Sequence, residues 1–60
     1  MELLIISKHP FRAEYVMRDC KGAHISTNAR FEPLLAYCQE AGYRACVEEN
    51  GRILQWFTPA

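Results

Sequence analysis

Cys20, Cys38 and Cys46, with His9 and His24, are the side chains of this 60-residue sequence best suited to hold a metal or to act as nucleophile and base. Thiolates and imidazoles are the usual ligands of structural zinc, and zinc would staple a domain this small. A structural site usually draws its cysteines in close pairs such as Cys-x₂₋₄-Cys, and no two cysteines here fall at that spacing. Cys38 stands instead among leucines, where a free thiol behaves as a small apolar side chain. No metal and no cofactor is expected. Ser7 and Ser26 could join the histidines and cysteines in a nucleophile–base pair, but none sits in a recognisable catalytic motif. Gly22, Gly42 and Gly51 are isolated, each accounted for by a turn or a helix stop, so no loop cradles phosphate. A domain this short seldom encloses the roughly 300–1,000 Å³ of a ligand pocket. A non-enzyme is expected.

A second chemistry lies around Phe11. Lys8, His9 and Arg12 flank that ring, and Arg18, Lys21 and Arg30 could lie nearby. Cations beside an aromatic suit single-stranded nucleic acid, with contacts to phosphate and stacking on bases. Nucleic-acid binding through Lys8, Phe11, Arg12, Lys21 and Arg30 is therefore the alternative function. Seven basic residues are balanced by seven acidic ones, however, whereas such binding usually rests on an excess of positive charge.

Composition places the chain among ordinary globular domains: half its residues are hydrophobic and 23% charged. A chain of this length buries only about 60% of the surface its unfolded form exposes, so stability is marginal without a staple or a partner. The opening Met1–Pro10 holds four consecutive apolar residues, short of the ~7–15 of a signal peptide and the ~20 of a membrane span. An odd number of cysteines suits free thiols in a reducing compartment. A cytoplasmic protein away from membranes is expected. Starting at Met1 and ending at Ala60, the chain also reads as a complete small gene product.

These residues are positioned by six elements. Glu2–Ser7 is an apolar run of strand length, fit for a central strand buried on both faces. Ala13–Asp19 alternates, and Ala23–Thr27 is strand-prone after the Cys20-Lys21-Gly22 turn. Phe31, Leu34, Leu35 and Cys38 recur at helical spacing. Pro33 fits only the first turn, so this helix begins near Arg30, and Gly42 stops it after about 11 residues. Asn50-Gly51 then predicts a two-residue type I′ hairpin. The order is β-β-β-α-β-β in one domain over residues 1–60, an α+β fold with one helix on a mostly antiparallel sheet.

Regular alternation about the Asn50-Gly51 turn pairs Glu49 with Arg52, Val47 with Leu54, Cys46 with Gln55 and Ala45 with Trp56. Tyr43, Ala45, Val47, Leu54 and Trp56 then face the helix. Ile53, Phe57 and Cys46 face away with Arg44, Glu48 and Gln55. A bulge could reverse that alternation. One helix covers one face, so the second is expected to bind protein, with Ile53, Phe57 and the outward side of the first strand as anchors. Arg44, Gln55, Glu48 and Arg52 would form its polar rim. The function expected is a non-catalytic interaction module binding a larger protein partner stoichiometrically. A phage- or plasmid-encoded inhibitor or a bacterial accessory regulator would fit, and a homodimer is compatible.

Overall fold

Helix and strands form where the local chemistry asks for them. The computed structural model describes residues 2–59. It contains β1 (Leu3–Lys8), β2 (Tyr15–Asp19), β3 (His24–Asn28), α1 (Phe31–Ala41), β4 (Arg44–Glu49) and β5 (Arg52–Phe57). The strands make one sheet in the order β3-β2-β1-β4-β5. Three of its four pairings are antiparallel, and β1 runs parallel to β4. A parallel neighbour cannot be reached by a tight turn. Here β2, β3 and α1 together make that connection. No helix among the described residues is long and apolar enough to cross a membrane.

The turns obey backbone sterics. Asn50 and Gly51 both have positive φ, 53° and 77°, as a type I′ hairpin requires. Gly42 ends α1 in the left-handed region (φ 77°, ψ 26°), and its N–H bonds to the Cys38 carbonyl. Between β2 and β3, Asp19 Oδ1 accepts from the backbone N–H groups of Lys21 and Ala23, both at 2.9 Å.

The core lies between α1 and one face of the sheet. Leu4 and Ile6 of β1, Met17 of β2, and Ala45 and Val47 of β4 pack with Leu34 and Cys38 of the helix. Tyr15, Phe31, Leu35, Tyr43 and Phe57 close its margin. Tyr15 and Phe31 meet edge to face, with ring centroids 5.6 Å apart. The helical stripe read from the sequence is therefore the buried one.

The last hairpin departs from regular alternation. Glu49 pairs with Arg52 as expected, and Glu48 pairs with Ile53. Val47 then pairs with Gln55, Cys46 with Trp56 and Ala45 with Phe57, leaving Leu54 as the extra residue of a bulge. A bulge sets two residues against one, so every side chain beyond it changes face relative to an unbroken strand. Phe57 consequently packs on the core and Gln55 pairs on the helix side. Trp56 moves to the other face. The expected pairings of Leu54, Gln55 and Trp56 are overturned for this reason.

Candidate interaction surface

The face of the sheet away from α1 is set by register. On β1 it carries Leu3, Ile5 and Ser7, the residues alternating with core Leu4 and Ile6. Their parallel partners on β4 are Arg44, Cys46 and Glu48. A hydrogen bond confirms the shared side: Ser7 Oγ donates to Glu48 Oε1 at 2.8 Å. Ile53 and Trp56 of β5 extend the face beyond β4, and Val16 and Arg18 of β2 extend it beyond β1. On β3, His24 Nε2 lies 2.7 Å from Thr27 Oγ1 at the far margin.

This surface carries apolar side chains on β2, β1, β4 and β5, with charged Arg18, Arg44 and Glu48 among them. Val16 and Cys46 are only 6% and 5% exposed, yet they lie outside the cluster that packs on the helix. Burial pushes the Cys46 thiol above its ordinary value, and the Glu48 carboxylate adds to that shift. Ile53 and Trp56 remain 50% and 54% exposed beside them. Six apolar residues, Leu3, Ile5, Val16, Cys46, Ile53 and Trp56, thus share a face that no other element covers among the described residues.

The expected binding residues divide on this geometry. Ile53, Arg44 and Glu48 are on the helix-free face. Phe57, Gln55 and Arg52 are not: Phe57 packs on the core, and Gln55 and Arg52 pair with Val47 and Glu49 on the helix side of β4. Trp56, which simple alternation places towards the helix, lies on the helix-free face instead. No glycine marks the bulge at Leu54, so its place is not legible from the strand itself.

The basic set divides too. Phe11 is the most exposed large apolar residue, at 91%, in a turn where His9 Nδ1 accepts from the N–H groups of Phe11 and Arg12. Lys8, Phe11, Arg12 and Arg30 lie at the end of the sheet where β2 begins and β3 finishes. Lys21 lies in the turn at the other end of those strands, so antiparallel pairing separates it from the rest. Acidic neighbours interleave: Arg12 pairs with Glu14 at 4.0 Å and Arg30 with Glu32 at 3.7 Å.

The sulfur ligands do not converge. Cys38 is on the helix, its Sγ 3.7 Å from Met17 Sδ in the core. Cys46 lies across the sheet from it, and Cys20 is exposed in the β2–β3 turn. Among the described residues no group of three or more His, Cys, Asp or Glu side chains could hold a metal ion. One open groove of about 360 Å³ lies between α1 and β3. Met17, Ile25, Pro33 and Leu34 form its apolar wall, and Ser26, Asn28 and Tyr37 supply its polar groups.

The thiol environments give a direct test. Burial also raises the Cys38 thiol above its ordinary value, with a backbone hydrogen bond acting against it. A thiol reagent at neutral pH should therefore modify Cys20 rapidly in the folded chain and all three thiols after unfolding in urea. Both buried thiols favour the neutral form when folded, while the unfolded chain ionises near the ordinary value of 9.0. Their contribution to stability is full below that pH and is lost as pH rises through the raised values. Melting temperature should fall above about pH 9 and fall less steeply in Cys38→Ala/Cys46→Ala. Equal slopes would remove the two thiols from the account.

Comparison with protein-family models, curated proteins and solved structures finds no match to this chain.

Proposed function

We propose that the chain is a non-catalytic protein-interaction module that binds another polypeptide stoichiometrically through the helix-free face of its sheet. One observation carries this reading: Trp56 and Ile53, both half exposed, stand beside the sequestered Cys46 on a face that no other element covers among the described residues. Tryptophan and aliphatic side chains on one face together with Arg18, Arg44 and Glu48 supply the apolar anchors and the polar groups that an interface combines. The nucleic-acid reading retains Phe11 as a stacking platform, but loses Lys21 from its cation set and finds Arg12 and Arg30 each beside an acid.

The test compares three immobilised proteins: the original chain, Trp56→Asp and Phe11→Asp. Polypeptides retained by the original and by Phe11→Asp, but released by Trp56→Asp, support the helix-free face. Retention unaffected by Trp56→Asp would sink the reading. Salt-sensitive binding of a labelled oligonucleotide, lost only in Phe11→Asp, would favour the rival.

A further inference from the structure

We propose that a second copy of this chain occupies the helix-free face, sheet against sheet, about a two-fold axis that crosses Cys46 and sets Arg44 of each copy over Glu48 of the other. This rests on reading that face as a protein-binding surface, and adds the identity and orientation of the occupant.

The orientation comes from charge. The outward residues of β4 read Arg44, Cys46, Glu48: positive, apolar, negative, with the thiol midway. A two-fold axis in the interface plane, perpendicular to β4 at Cys46, reverses the strand and leaves it stacked on its twin. Arg44 then stands over the second copy's Glu48, and the symmetry makes that contact twice. An axis parallel to the strand would set arginine over arginine and glutamate over glutamate. Packed sheets are about 10 Å apart, a gap that an extended arginine and a glutamate span together.

The same operation aligns the apolar residues. Ile5 pairs with Cys46 on one side and Trp56 pairs with it on the other. All three lie along the axis, so each meets its own counterpart on that line, from the middle strand β1 to the edge strand β5. Arg18 pairs with Ile5 and also falls on this line. It is exposed two strands from β4, where its long stem can carry the guanidinium out to water.

Area is sufficient. The chain measures 33 × 20 × 19 Å and exposes 4136 Å². A broad face of such a body carries about one fifth of that surface, on the order of the ~800 Å² per partner in a stable interface. The alternative symmetric contact, β5 against β5 at the sheet edge, is opposed by the bulge at Leu54, which interrupts the row of backbone groups an incoming strand would use.

Charge exchange tests the arrangement. Sedimentation equilibrium from micromolar to near-millimolar concentration should show the 6.9 kDa chain converting to a species of twice that mass. Arg44→Glu and Glu48→Arg, separately, should each raise the dissociation constant roughly ten- to hundred-fold, since each turns two attractive contacts into two repulsive ones. Mixing these variants should restore association as a heterodimer, and Arg44→Glu/Glu48→Arg should restore the homodimer. If a single variant loses its circular-dichroism signature, Arg44→Gln and Glu48→Gln serve in its place, with smaller losses expected. A dimer unaffected by any of these changes would overturn the orientation. A chain that stays monomeric throughout would overturn the homodimer. In that second case, another polypeptide retained by the chain and released by Trp56→Asp would leave the protein-binding reading standing.

Discussion

Ile6→Ala is expected to lower the free energy of unfolding by about 3–4 kcal/mol, which would leave the chain mostly unfolded at 25 °C. Ile6 is 0% exposed on β1, the middle strand of five, and belongs to the cluster with Leu34 and Cys38 of the helix. Truncation would remove three carbons from that cluster. The hole has little room to close, because β1 is held by β2 on one side and β4 on the other. A single small core seldom supplies more than about 3–5 kcal/mol in all, so the loss is of the same size as the total. Ile5→Ala, one residue away, is the internal control. Ile5 points to the helix-free face and is partly exposed, so its loss should be about 1 kcal/mol when the chain is dilute and monomeric. Urea unfolding followed by circular dichroism measures both. Equal losses would mean that the two faces of β1 are equally well filled in the monomer, and the distinction between core and binding face would fail. Raising protein concentration should then affect the two variants differently, because only Ile5 would contribute to the proposed contact between copies, whose stability depends on mass action.

The parts of this architecture legible in the sequence are those fixed by neighbours along the chain. Helix α1 spans the 11 residues from Phe31 to Ala41, because a stripe of Phe31, Leu34, Leu35 and Cys38 lies between Pro33 near its start and Gly42 past its end. Asn50-Gly51 makes its turn because few other dipeptides accept two positive φ angles. The element order β-β-β-α-β-β follows from such local signals. That β1 lies beside β4, in parallel, does not: both strands have apolar residues on each face, and only long-range packing selects the neighbour. The candidate surface was legible to the same degree. Ile53, Arg44 and Glu48 lie on the bulge-free side of the turn or on the unbulged strand, so alternation places them on the helix-free face. Phe57, Gln55 and Trp56 lie past Leu54, where one unpaired residue inverts the reading. Lys21 was misplaced for another reason, since its distance from Phe11 depends on which end of a hairpin each occupies. In each case the missing information concerns how strands are registered or oriented, rather than which segments are strands.

That inversion makes adjacent aromatics behave oppositely. Phe57→Ala should destabilise the isolated chain by about 2–3 kcal/mol, and Trp56→Ala by less than about 1 kcal/mol. Phe57 pairs with buried Ala45 and packs against the core, so its truncation removes apolar contact from the helix side. Trp56 pairs with Cys46 on the other face and is already 54% exposed, so the monomer loses little when the indole is removed. Association should show the reverse order. Trp56→Ala removes a large, half-exposed apolar side chain from the proposed contact, once in each copy, and should weaken self-association at least about tenfold. Phe57→Ala, folded at low temperature or low urea, should associate nearly as well as the original chain. Urea midpoints at low concentration and sedimentation at high concentration separate these two properties. If Trp56→Ala were the destabilised variant and Phe57→Ala the non-associating one, β5 would run without its bulge, and Phe57 would return to the face from which Leu54 removes it. The identity of the proposed binding surface therefore turns on the single extra residue in the last strand.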